Sequence, residues 1–278
     1  MPQINGPILF ITNGQPAIRA AIPQLQAYAD AFGCQLRLIV QVPRATQDVL
    51  LPKYAVQIRT ALPEALQSTP IDVLRPAQLR PLLRAAAANG GGMVAVLPTR
   101  NSGLKRILQP NHHERLLLDG PLPLLALGRQ ARESIRRILF PVDLAPRSEA
   151  LLDDTIALCR RLGAELHLLH VYGDDRLLPA EIDTGRRAAA RTPRELYEID
   201  KQQLAALAAR AEAADIAVTA GYAEGRAHTQ IAAYTANHAI DLIVMATHGP
   251  RSTADILFGT TTARVINRVS VPVLAAFT

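Results

Sequence analysis

The chain has 278 residues, of which 49% are hydrophobic and 19% charged, with no tryptophan. This balance excludes a disordered or fibrous chain and is enough to bury the core of one large domain or two of ordinary size. A net charge of +6 arises from arginines scattered through helical stretches, without a basic stripe interleaved with aromatics, so it suits a small anion and no nucleic-acid partner is expected.

The opening stretch "MPQINGPILFITNGQP" has no charged region leading into a long apolar segment, and no apolar run approaches membrane-spanning length. A soluble, cytoplasmic protein without a membrane partner is the expectation. Residues 7 to 42 then read as a short apolar strand, a loop, an amphipathic helix that Gly33 can cap, and a second strand. Further on, "GGMVAVLP" (91 to 98) and "PLPLLAL" (121 to 127) read as strands. The arginine-rich "GRQARESIRR" (128 to 137) reads as a junction.

Beyond the junction the chain repeats itself. The stretch "RILFPVDLAPRSEALLDDTIALCRRLGAELHLLHVY" (137 to 172) lies over residues 7 to 42 at a constant offset of 130, matching Ile8 to Ile138, Gly33 to Gly163 and Leu36 to Leu166. Towards the end, "IDLIVMAT" (240 to 247) lies over 91 to 98 and "SVPVLAA" (270 to 276) over 121 to 127, now at an offset of 149. The difference of nineteen residues is placed as an insertion at 173 to 191, with so little apolar surface to bury that it is expected to be mobile or to become ordered only on binding. After it, Thr192 as N-cap, Pro193 at the first helical position and Glu195 closing a capping box predict a helix to about Ala214.

Each half thus reads as strands alternating with helices, five strands in all. The predicted fold class is α/β: two tandem doubly wound domains, about residues 1 to 130 and 131 to 278, each a five-stranded parallel sheet with helices on both faces. Two separate sheets packed about a pseudo-twofold axis are expected.

In such sheets ligands sit beyond the carboxyl ends of the strands, where strand order reverses. In the second half this selects Asp143 after "RILFPV", the "HVY" at Val171, and the loop "MATHGPRSTADILFGTT" (245 to 261). Gly249 lets a ligand approach the backbone, and Gly259-Thr260 at a helix start offers free N–H groups and a hydroxyl to an anion. Arg251, Ser252 and Thr253 lie on the arm between. As spaced glycines alone, the loop reads equally as a tight turn with Thr260 as a plain N-cap.

On these residues the chain resembles a tandem universal stress protein, a fold of the HUP kind, over nearly its whole length. The family's nucleotide motif is Gly, two residues, Gly, nine residues, Gly, then Ser or Thr. Here Ala246-Thr-His-Gly249, nine residues, and Gly259-Thr260 reproduce it with alanine at the first glycine. The resemblance implies ATP, with Mg as its companion ion, over the sheet edge: Asp143 and Val171 near the adenine, Ala246 facing the ribose, and Gly249, Gly259 and Thr260 holding the phosphates. It also implies a role in stress response or signalling, and that chains with degenerate loops often do not bind ATP. In the first half Asn13 replaces the aspartate, Arg100 stands at the place of Gly249, and Pro110-Asn111 at that of Gly259-Thr260, so that half reads as a scaffold or regulatory partner.

No catalytic residue or dedicated metal ligand is assigned. His248 has no nucleophile or carboxylate beside it in the sequence, so it reads as polar surface. His112-His113-Glu114 are adjacent residues that point apart on a helix. Asp174-Asp175 read as solubilising or, with a nucleotide, as magnesium ligands. Cys34 and Cys159 are too few for a disulfide framework and read as buried free thiols.

Three function classes remain: a nucleotide-binding stress protein, a module binding proteins or other ligands, and an enzyme using ATP. The module would be dimeric or pseudo-dimeric through the last strands, so the expected partners are an adenine nucleotide, an intramolecular pseudo-dimer and a homodimer. Against the enzyme stands the absence of a Walker-type lysine loop and of an acid, base or nucleophile set, which leaves at most a weak ATPase.

Overall fold

The structure, a computed structural model, describes residues 6–12, 15–89, 91–98, 122–129, 134–172, 192–247 and 260–277. The first half runs β1 (Ile8–Thr12), α1 (Gln15–Phe32), β2 (Leu36–Gln41), α2 (Leu51–Ala61), β3 (Ile71–Leu74), α3 (Pro76–Ala88), β4 (Met93–Val96) and β5 (Leu124–Ala126). The second runs β6 (Arg137–Val142), α4 (Pro146–Leu162), β7 (Glu165–Tyr172), α5 (Pro193–Glu212), β8 (Val218–Glu224), α6 (Ala227–Asn237), β9 (Leu242–Thr247), α7 (Thr260–Arg268) and β10 (Val273–Phe277). The helix expected between β4 and β5 falls outside the described residues. So does the inserted stretch from 173 to 191.

The register of the strands carries both sequence offsets. Ile8 pairs with Leu36 and Ile138 with Leu166, the same pair displaced by 130. Val94 pairs with Leu124 and Ile243 with Val273, displaced by 149. The change occurs between the second and third strands of each half: Leu38 pairs with Ile71 and Leu168 with Ala220, so one side has moved by 130 and the other by 149. The nineteen extra residues therefore lie between β7 and β8, as the sequence implies.

Local chemistry explains the elements. α5 starts on Thr192, whose side chain accepts from the Glu195 amide at 3.2 Å while Glu195 accepts from the Thr192 amide at 2.9 Å. α4 ends on Gly163 in the left-handed region (φ 62°), where a side chain would be strained. Pro23 and Pro81 lie inside α1 and α3, against their local preference, because each helix buries an apolar face: Ile18, Ile22 and Leu25 in α1, Leu79 and Leu83 in α3.

The two sets of five strands do not form the separate sheets expected. They join edge to edge in one ten-stranded sheet, ordered β3-β2-β1-β4-β5-β10-β9-β6-β7-β8, parallel throughout except where β5 meets β10. There Leu125 faces Leu274, its own counterpart in the repeat, while Leu124 faces Ala275 and Ala126 faces Val273. A pairing that maps onto itself in this way requires a local twofold between the two leucines. The physical reason for the join is that β5 and β10 are short, wholly apolar edges that would otherwise leave backbone groups unpaired. One core cluster, with residues from α1, α2, α4 and α5, covers one sheet face across both halves. On the other face α3 packs over the first half, and α6 and α7 over the second. Among the described residues no helix is long and apolar enough to cross a membrane.

Candidate nucleotide site at the strand ends of the second half

β6 lies between β9 and β7, and the chain winds outward through β7 and β8 before returning to β9 on the other side. The carboxyl ends of β9, β6 and β7 therefore meet at the point where strand order reverses. Asp143, Val171 and Ala246, singled out from sequence, sit together at those three ends.

Asp143 follows the last residue of β6, and its Oδ1 accepts from the Ala145 amide at 3.1 Å and the buried Ser148 hydroxyl at 2.5 Å. A short carboxylate folding back on the next turn is how aspartate starts a helix without being its formal cap. Between the two, Leu144 is buried with φ 57°, a conformation that costs a branched side chain about 1 kcal/mol. This strain lies one residue from the proposed ligand contact.

Val171 and Ala246 reach the site from opposite faces. Val171 packs against the cluster under α6 and α7, whereas Ala246 packs against the cluster under α4 and α5. Their side chains cannot line one wall, so a ligand spanning both would meet the backbone ends of β7 and β9. Next to Ala246, the Thr247 hydroxyl is buried and donates to the Ala276 carbonyl at 3.2 Å, tying the end of β9 to β10.

α7 begins at Thr260, where the glycine-threonine pair predicts a helix start. Gly249 and Gly259 lie outside the described residues, as do His248 and the arm carrying Arg251, Ser252 and Thr253. Outside them too are Asn13, Arg100, Pro110, Asn111, the His112-His113-Glu114 group and Asp174-Asp175. Among the described residues no group of three or more His, Cys, Asp or Glu is placed to share a metal ion. Cys159 is buried and its thiol is pushed up to about 12 by that burial, so it carries no thiolate; Cys34 is only half-buried.

Sequence reasoning missed His170 and Asp200. The His170 imidazole is buried, with Nδ1 3.0 Å from the Val142 carbonyl and Nε2 3.3 Å from Oδ2 of Asp200 on α5. Tyr222 stands edge-on to this imidazole and continues through Tyr197 to Tyr172, an aromatic row closing α5 onto the ends of β7 and β8. The available signal was the run "HLLHV", two histidines three apart in a strand and so on opposite faces.

At these ends Asp143 is a carboxylate held in place by two donors, Ala246 is a small residue one short of the end of β9, and α7 follows β9 in the chain.

Comparison with known proteins agrees with this architecture. The sequence model of the Universal stress protein family matches residues 134–276. A universal stress protein from Archaeoglobus fulgidus DSM 4304 is 16% identical, with 99% of this chain and 97% of that chain covered and a TM-score of 0.67. A functionally unknown protein from Pseudomonas aeruginosa PAO1 is 17% identical, with 99% and 94% covered and a TM-score of 0.64. A universal stress protein in complex with cAMP is 16% identical over 52% of this chain and 98% of that one, with a TM-score of 0.40. No curated protein matches the chain.

Proposed function

The chain belongs to the universal stress protein family, and on that footing we propose that its second half binds ATP at the carboxyl ends of β6, β7 and β9. The observation that carries this reading is the placement of Asp143, Val171 and Ala246 at the reversal of strand order, with α7 as the next helix after β9 in the chain. Asp143 receives the adenine, the end of β9 at Ala246 meets the ribose, and Gly249, Gly259 and Thr260 hold the phosphates through backbone N–H groups and a hydroxyl. Magnesium, where it accompanies the nucleotide, neutralises phosphate charge.

The protein acts by binding, in stress response or signalling, and its first half serves as scaffold or regulatory partner. Proposed boundaries are about 1 to 130 and 131 to 278, with the fifth strands as the seam. Ala246 favours one other reading, a module for proteins or other ligands, because its methyl group stands where the motif has glycine. Mass spectrometry of small molecules released from the purified protein separates the two. A co-purified adenine nucleotide supports the first; a different ligand supports the second.

A further inference from the structure

The polar contacts of His170 run from the end of β6 to α5, and only the first of these elements is paired with β7 in the strand ladder. The Val142 carbonyl can only accept, so Nδ1 at 3.0 Å carries a proton and donates it. That commitment leaves Nε2 facing the Asp200 carboxylate at 3.3 Å, with the two side chains only 4% and 5% exposed.

Val142 is the last residue of β6 and the ladder partner of His170. Its carbonyl belongs to the planar peptide unit that also contains the Asp143 nitrogen, so holding the carbonyl fixes the direction in which Asp143 leaves the strand. Immediately after come the left-handed Leu144 and the Asp143 turn, a strained path that relaxes unless held. At the other end Asp200 belongs to α5, whose capped start at Thr192 follows the inserted stretch.

We propose that His170 is a positioning residue for the nucleotide site, a strut through which the seat of α5 on the sheet sets the geometry of Asp143. Its bearing on ligand affinity rests on the reading of Asp143 given above; its bearing on the Asp143 turn does not.

Two substitutions separate the imidazole's contacts. His170→Asn places an amide nitrogen where Nδ1 lies and keeps the donor to Val142, whereas His170→Gln places one where Nε2 lies and keeps only the contact with Asp200. Hydrogen exchange of the Ala145 amide, which donates to Asp143, reads the turn without any ligand, and titration with MgATP reads the site. The Gln variant should exchange about five- to tenfold faster at Ala145 and bind MgATP weaker by a similar factor, the range expected for one buried hydrogen bond, with the Asn variant near wild type in both. Equal effects of Asn and Gln, or no effect of Gln, overturn the proposal. If wild type does not bind MgATP, the proposed function falls while the exchange contrast still decides the strut. If neither variant folds, imidazole 15N spectra of wild type decide it: a proton on Nδ1 supports the strut, and one on Nε2 alone overturns it.

Discussion

Arg161 donates from Nε at 3.0 Å and Nη2 at 2.6 Å to the carbonyl of Ala31, the residue that occupies Arg161's own place in the first half of the repeat. The end of α4 therefore caps the end of α1 across the local twofold, in one direction only, since alanine has nothing to return. A cation on the last carbonyls of a helix complements its dipole. Arg161→Ala should cost about 1 kcal/mol, because the contact is solvent-exposed and only the net value of the hydrogen bonds is lost. Urea unfolding checks this; an unchanged midpoint would mean the two helix ends do not support each other.

Thr192→Ala should lower stability by about 1 kcal/mol through loss of the N-terminal cap of α5, and Glu195→Ala by less, since the Thr192 oxygen still accepts from the backbone. Circular dichroism during urea unfolding measures both. Equal stability of the Thr192 variant and wild type would place the start of α5 elsewhere.

At the amino end of β7, His167 is buried with Nδ1 3.0 Å from the Tyr234 hydroxyl and Nε2 3.4 Å from Glu165. Burial holds its pKa below the ordinary 6.5; Glu165 works in the other direction, and His238 and Arg137 add to the lowering. The unfolded chain therefore takes up this proton first as pH falls. Stability from this group is complete above about pH 6.5 and declines below it until the folded-state pKa is reached. His167→Asn keeps an amide towards Tyr234 but does not titrate, so its stability should fall less than that of wild type between about pH 7 and pH 5. Parallel curves for the two proteins would contradict the assignment.

Much of the fold was legible because the sequence repeats. Both offsets reappear in the strand register, and Thr192, Pro193 and Glu195 begin α5 where the capping box placed them. The join through Leu125 and Leu274 was not legible in the same way, since periodicity states which face of a strand is apolar and not which edge it will meet. At the proposed site, Asp143 and Val171 were selected by their places at strand ends and Ala246 by its match to the family's glycine motif, and the structure puts all three at the carboxyl ends of β6, β7 and β9. The division of Val171 and Ala246 between faces follows from strand parity and could have been counted. His170 with Asp200 could not, because thirty residues separate them and a polar residue in an apolar strand reads as a lapse until its partner is known.

The central claim is that the second half, through the loop from Met245 to Thr261, holds ATP. Isothermal titration of folded wild type, Gly259→Val and Arg100→Ala with MgATP tests it most directly. Binding below about 1 mM by wild type is predicted, with Gly259→Val weaker by about tenfold or more as its side chain enters the phosphate position, and Arg100→Ala unchanged. No binding by wild type at millimolar nucleotide, or Gly259→Val binding as well as wild type, would contradict it and leave the loop a turn.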